Sequence, residues 1–245
     1  MNAPLLQVTS LCKRFGGFVA LDGIDLDVQP GERLGLIGPN GSGKSTLVNC
    51  VCGTLHNETG SVRFAGQLLD GLPAHRRTHI GLARSFQLPR PFISLSIADN
   101  LRVPLLYTVR RRSLLLRSAR ELDERCMELL AQVGLDAKAR RMTSDLTQVE
   151  MRKLELARAM AAEPRLLIAD EVMAGLSHSE IDDIIALLLR LNEQGVTVIM
   201  IEHIMRAVMR FSQRLAVLVS GRKIADGIPE NVVNNPEVVS AYLGQ

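Results

Sequence analysis

Hydrophobic and polar positions along the chain fall into two rhythms. Near the N-terminus the period is two: Leu6 and Val8 form one face, and Ile24, Leu26 and Val28 another, with Asp25 and Asp27 turned away. Ser61-Val62-Arg63-Phe64-Ala65-Gly66 reads as a further half-buried strand that ends in a turn. Such alternation predicts antiparallel strands with one face in solvent. Elsewhere the apolar runs are continuous: Leu34 to Ile37, Leu166 to Ala169, Val196 to Ile201 and Leu215 to Val219. They predict strands buried on both faces, hence a parallel sheet covered by helices. Helical spacing links Leu47, Val48 and Val51. It also links Ile181, Ile184, Ile185, Leu188 and Leu191, in a helix read from Ser179 to Leu191 with Ser179 and Asp182 as its capping pair. Between about 88 and 160 the character changes. Leu88-Pro89-Arg90-Pro91 breaks regular structure, and Leu122, Cys126, Leu129, Leu130 and Val133 then line one helical stripe. The predicted fold class is α/β: a parallel sheet with helices on both faces, an antiparallel β subdomain beside it, and a helical subdomain inserted at about 88–160 of a single domain spanning 1–245.

Composition narrows the function. At 245 residues and 47% hydrophobic, the chain can bury a large core without metals or disulfides. Its net charge of +3, from 29 basic and 26 acidic residues, argues against a dedicated nucleic-acid partner. Aromatics at 3%, with no Trp, leave no base-stacking platform. Arg110-Arg111-Arg112, with Arg117 and Arg120, reads as a solvated face in preference to a nucleic-acid or lipid patch, because Leu114-Leu115-Leu116 interrupts it. Cys12, Cys50, Cys52 and Cys126 lack zinc-like spacing, so reduced thiols in the cytosol are expected. No signal-like N-terminus and no apolar run near the ~18 residues of a membrane span is present. The expectation is a soluble protein that meets a membrane only through a partner.

The candidate chemistry begins where the run Leu34-Gly35-Leu36-Ile37 ends. Gly38-Pro39-Asn40-Gly41-Ser42-Gly43-Lys44-Ser45-Thr46 fits G-x-x-x-x-G-K-[ST] between a strand and a helix. Gly38, Gly41 and Gly43 place no side chain between backbone N–H groups and an anion, and the helix that follows directs its positive end there. Lys44 supplies a charge for the β- and γ-phosphates and Ser45 a hydroxyl for Mg²⁺. Asn40, Ser42 and Thr46 complete the stretch and are counted with it as nucleotide-contacting positions. The run from Leu166 ends in Asp170-Glu171. Beside a phosphate loop, Asp170 reads as a Mg²⁺ partner and Glu171 as the carboxylate that orients or deprotonates water; by themselves the two acids could simply open a solvated loop. His203, just past a strand, is either a structural histidine or a donor to the γ-phosphate. Gln87 is either a surface amide or a contact to water or Mg²⁺.

With these residues in hand the chain resembles the ATP-binding subunit of ATP-binding-cassette (ABC) transporters over essentially its full length. Gln87 in Ala83-Arg84-Ser85-Phe86-Gln87 matches the family's glutamine loop, and His203 its switch histidine. Phe15 in Lys13-Arg14-Phe15-Gly16-Gly17 falls where the family stacks an aromatic on adenine, a core Phe being the alternative. Those residues, with Asp170-Glu171-Val172-Met173-Ala174-Gly175-Leu176 and the ending Ala241-Tyr242-Leu243-Gly244, are most similar to the branched-chain amino-acid uptake group. The resemblance implies ATP and Mg²⁺, hydrolysis, and a head-to-tail pair of ATP-binding subunits. It also implies transmembrane permease subunits, a periplasmic or surface solute-binding protein acting indirectly, and a place on the inner face of the cell membrane. The chain departs from the family at Leu146-Thr147-Gln148-Val149-Glu150, where the pattern is Leu-Ser-Gly-Gly-Gln. Thr147 keeps a hydroxyl for the partner's nucleotide, but Gln148 and Val149 add bulk where backbone must approach it. The second subunit is either another copy of this chain or a different one, and a different one with an intact segment would give one strong and one weak site. Ser177, where many members carry Asp, and Ile204, where an acid is common, depart as well.

Overall fold

The computed structural model describes residues 3–86, 89–109 and 118–243. In chain order, β1 (Leu6–Phe15) and β2 (Phe18–Val28) form a hairpin, and β3 (Arg33–Ile37) leads into α1 (Lys44–Cys52). Then come β4 (Thr59–Phe64), β5 (Gln67–Leu68), α2 (Ala74–His79) and β6 (Leu82–Ser85). Three helices follow: α3 (Ile97–Pro104), α4 (Ala119–Val133) and α5 (Gln148–Met160). The chain then alternates through β7 (Leu166–Asp170), α6 (His178–Glu193), β8 (Thr197–Ile201), α7 (Met205–Phe211) and β9 (Arg214–Val219). It finishes with β10 (Arg222–Gly227), α8 (Pro229–Val233) and α9 (Pro236–Leu243).

The period-two segments form a four-stranded antiparallel sheet in the order β2-β1-β4-β5, in which Leu6 faces Val28 and Val8 faces Leu26. The continuous runs form a second sheet in the order β10-β9-β3-β8-β7-β6. Five of its strands are parallel; β10 runs antiparallel on the edge beside β9. Every residue of β7 and β8 is buried. Successive residues of β7 enter different cores: Leu167 and Ala169 pack with α4, α5 and α6, while Leu166 and Ile168 pack with α1 and the antiparallel sheet. That two-sided burial is why these runs carry no polar alternation.

Three local features differ from the sequence expectation. First, α6 starts at His178, and its cap is Ser177 with Glu180, which exchange hydrogen bonds as a capping box. The longer Glu180 side chain reaches back to the Ser177 N–H, whereas Asp182 pairs with Arg206 and Arg210 of α7. Second, β6 is a strand that the sequence hides, because it is four residues long with Arg84 inside it. Third, β10 shows only partial burial along its length, so no apolar run announced it. Of the α4 stripe, Cys126, Leu129, Leu130 and Val133 are buried and Leu122 is partly buried, between a Ser118–Glu121 capping box and a left-handed Gly134.

Candidate functional site

The strand β3 delivers the chain to the phosphate loop at the carboxyl edge of the parallel sheet, where such folds open a crevice. Two of the loop's glycines are required by the protein's own backbone. A Cβ on Gly38, at φ +151°, would lie 2.1 Å from the Leu218 carbonyl oxygen, and one on Gly43, at φ +104°, 2.6 Å from that of Ala20. At Gly41, by contrast, a Cβ would meet nothing within 4 Å. Pinned from below and open above, the loop presents Asn40, Gly41 and Ser45 to solvent while Ser42 and Lys44 are buried. Gly43 caps α1 with no side-chain acceptor, and the first turn carries no acid. The first-turn N–H groups, including those of Ser45 and Thr46, and the positive helix end are thus left to an external anion.

Lys44, 6% exposed, folds over this loop. Its ammonium donates to the carbonyl oxygens of Gly38 at 2.7 Å and Pro39 at 3.0 Å. Burial lowers its pKa, and the negative charges of Glu171 and Asp170 oppose that shift. Those acids come from the end of β7, one strand beyond the neighbouring β8. Asp170 is buried, and its Oδ2 accepts from Arg84 at 2.6 Å; Arg84 also donates to Asn49 at 2.7 Å. This clamp was not legible beforehand, because Arg84 belongs to the hidden strand β6.

Glu171 adopts φ +48°, a left-handed conformation unusual for a side chain of its size. Its N–H donates to the Ile201 carbonyl at 2.9 Å, and its Oε1 lies 2.7 Å from Nε2 of His203. The two residues singled out from separate strand ends therefore meet as a pair. A histidine nitrogen in contact with a carboxylate can share or relay a proton, and the pair borders the same edge as Lys44.

The donors available for a metal are hard oxygens: the exposed Ser45 hydroxyl and the Asp170 carboxylate, whose second oxygen is left by the Arg84 contact. That set fits Mg²⁺, which takes one or two protein oxygens and completes its shell with water and phosphate. Gln87 lies outside the described residues.

Phe15 is 48% exposed at the tip of the β1–β2 hairpin, with Lys13 Nζ 5.5 Å from its ring, which removes the reading as a core Phe. Thr147 caps α5, exchanging hydrogen bonds with Glu150. Gln148 turns its amide toward the Ala174 carbonyl of its own chain, at 3.5 Å, so part of the bulk foreseen ahead of the helix is folded back. Cys50, Cys52 and Cys126 are buried free thiols, and burial pushes Cys52 up to about 12 and Cys126 up to about 11. They are inert as nucleophiles. Among the described residues no helix is long and apolar enough to cross a membrane.

Comparison with known proteins gives one direction throughout. Residues 21–174 match the ABC transporter family, and residues 222–245 match a segment described as branched-chain amino acid ATP-binding cassette transporter. BraF of Pseudomonas aeruginosa, a high-affinity branched-chain amino acid transport ATP-binding protein, is 38% identical with both chains fully covered. LivG of Escherichia coli, of the same description, is 36% identical with the same coverage. Among solved structures, the ADP conformation of MJ1267, an ATP-binding cassette of an ABC transporter, superimposes with a TM-score of 0.89 at 30% identity over the whole of both chains. The chain belongs to the ABC transporter family, as one of its ATP-binding, ATP-hydrolysing subunits.

Proposed function

We propose that this subunit binds ATP with Mg²⁺ at the phosphate loop and hydrolyses it to energise uptake of branched-chain or related amino acids through partner membrane subunits. The observation that carries the catalytic part is the 2.7 Å contact between Glu171 and His203 beside Lys44. Gly41, the first turn of α1 and Lys44 hold the phosphates, and Phe15 offers its exposed ring to adenine. Ser45 and Asp170, with Gln87 as the further candidate, would hold Mg²⁺, which would supply charge neutralisation on the phosphates. Glu171 orients and polarises the attacking water, and His203 fixes that carboxylate and would donate to the γ-phosphate.

The partner reading is supported by a surface feature. A cleft of about 380 Å³ runs between the parallel sheet and the middle helices, walled by Phe86, Phe92, Val103 and Tyr107 with Ala159 and Ala162 in its lining. Four large exposed apolar side chains in one groove suit an apolar segment of a membrane subunit. This would place the chain on the inner face of the membrane. The amino-acid substrate follows from the full-length likeness to BraF and LivG.

The second ATP-binding subunit of the pair is proposed to be a different chain with an intact signature segment. The test is reconstitution with the two membrane subunits in lipid vesicles. Leucine- or isoleucine-loaded binding protein should stimulate ATP turnover and uptake. Stimulation by sugars or peptides, and not by any aliphatic amino acid, would overturn the substrate assignment.

A further inference from the structure

The structure assigns Glu202 a role as a positioning residue: its carboxylate holds the loop after Glu171 in register with His203, so that the catalytic carboxylate is aimed at all. The inference rests on the roles given above to Glu171 and His203. Glu202 follows the last residue of β8 and is 2% exposed, an unusual place for a carboxylate. Its Oε1 accepts the Met173 N–H at 2.9 Å, and its backbone leads directly into His203. That bond therefore ties the segment two residues after Glu171 to the chain position next to the residue that contacts Glu171.

The need for such a tie comes from the backbone. Glu171 at φ +48° persists only if its surroundings over-determine it. Its own N–H is fixed on Ile201, its carboxylate touches His203, and the Met173 bond closes the turn from the far side. A second grip lies one residue on. Arg152 of α5, 6% exposed, donates to the Ala174 carbonyl at 3.4 Å, as Gln148 of the same helix does at 3.5 Å. The charge of Glu202 in turn partly offsets the cost of burying the Arg152 guanidinium. The loop from Glu171 to Ser177 is thus held from β8 through Glu202 and from α5 through Arg152. Without the first of these, Glu171 retains its fold neighbours but loses a fixed direction toward the water it must polarise.

Two substitutions separate this role from alternatives, measured in the purified transporter complex. Glu202→Gln keeps the reach and an acceptor oxygen and removes the charge. Glu202→Asp keeps the charge and shortens the reach by one methylene. We expect the Gln variant to keep kcat within about threefold of wild type. The Asp variant should lose more than tenfold in kcat with KM for ATP unchanged within twofold, and show faster hydrogen exchange of the Met173 amide. A purely electrostatic role gives the opposite order, and a general packing role lowers thermal stability without splitting kcat from KM; either result overturns the proposal. Glu171→Gln, run alongside, keeps the two questions apart. Should that variant hydrolyse normally, the catalytic assignment fails; should it be inactive while Glu202→Asp is as fast as wild type, only the positioning role fails.

Discussion

Removing the Lys44 ammonium should weaken ATP binding far more than it weakens the fold. In the structure this group sits on two loop carbonyls, at 2.7 and 3.0 Å. On the proposed mode of binding it exchanges those neutral acceptors for the phosphate oxygens of ATP. The ammonium is charged in both states, so each exchange adds only the charge on the acceptor, roughly 1–1.5 kcal/mol on the scale that separates neutral from charge-assisted hydrogen bonds. Two such exchanges net about 2–3 kcal/mol, which is roughly 30- to 150-fold in Kd. Folding responds less, because two effects oppose each other. Lys44→Ala deprives the Gly38 and Pro39 carbonyls of a donor, yet it also removes a buried cation whose pKa is lowered mainly by desolvation. A net change within about 1 kcal/mol corresponds to a Tm shift of roughly 2–4 °C for a chain of this size. Equilibrium titration with a fluorescent ATP analogue, with a melting curve on the same sample, reads both quantities. Wild-type affinity in a normally folded variant would refute the phosphate-loop assignment, and loss of the fold would refute the balance argued for Lys44.

Other expectations follow from particular contacts. Gln148→Gly combined with Val149→Gly should speed ATP turnover of the chain acting as its own partner by several-fold; the two glycines cost about 1 kcal/mol each in the helix, so Tm should fall by roughly 4–8 °C. If the unmodified homodimer already turns over as fast as the mixed pair and ignores this change, the asymmetry is ruled out. Gly35→Ala would set a Cβ 2.3 Å from Leu215 and 2.5 Å from Ser212, so overpacking should cost about 2 kcal/mol by chemical denaturation, and an unshifted midpoint would contradict the close packing of β3. Burial pushes the Glu202 carboxyl from 4.5 up to about 7, against the hydrogen bond from the Met173 N–H. The folded state then holds a proton that the unfolded chain has released, so stability should fall as pH rises from about 4.5 to about 7 and level off above. In Glu202→Gln that slope should disappear from the denaturation midpoints; a persisting slope assigns it to another group.

Much of the candidate site is legible in the sequence because it is local. The phosphate loop is contiguous, and Asp170-Glu171 ends a run whose lack of polar interruption marks a strand buried on both faces. What the sequence could not show depends on who packs where. Arg84 reads as a polar residue before a break, and only the pairing of β6 with β7 brings it to Asp170. Gly38 and Gly43 read as space for a phosphate, whereas their missing side chains chiefly admit the carbonyls of Leu218 and Ala20. Gln148 reads as an obstacle ahead of α5, but its amide folds back onto Ala174. The α6 cap lies two residues before the expected one because Ser177 and Ser179 both offer hydroxyls, and only the reach of Glu180 chooses between them. Glu202, last, looks like an unremarkable acid beside the histidine until its burial and its bond to Met173 are seen.

The central claim is that Glu171, held by His203, activates water for ATP hydrolysis. Its most direct measurement is single-turnover ATP hydrolysis by Glu171→Gln in the assembled transporter, with nucleotide affinity measured on the same preparation. The amide keeps the shape and cannot take a proton, so affinity should stay within about threefold of wild type while the chemical step at this site slows by at least 10²-fold, the scale of general base catalysis, and ATP-bound pairs accumulate. Hydrolysis at the wild-type rate with ATP normally bound would contradict the account.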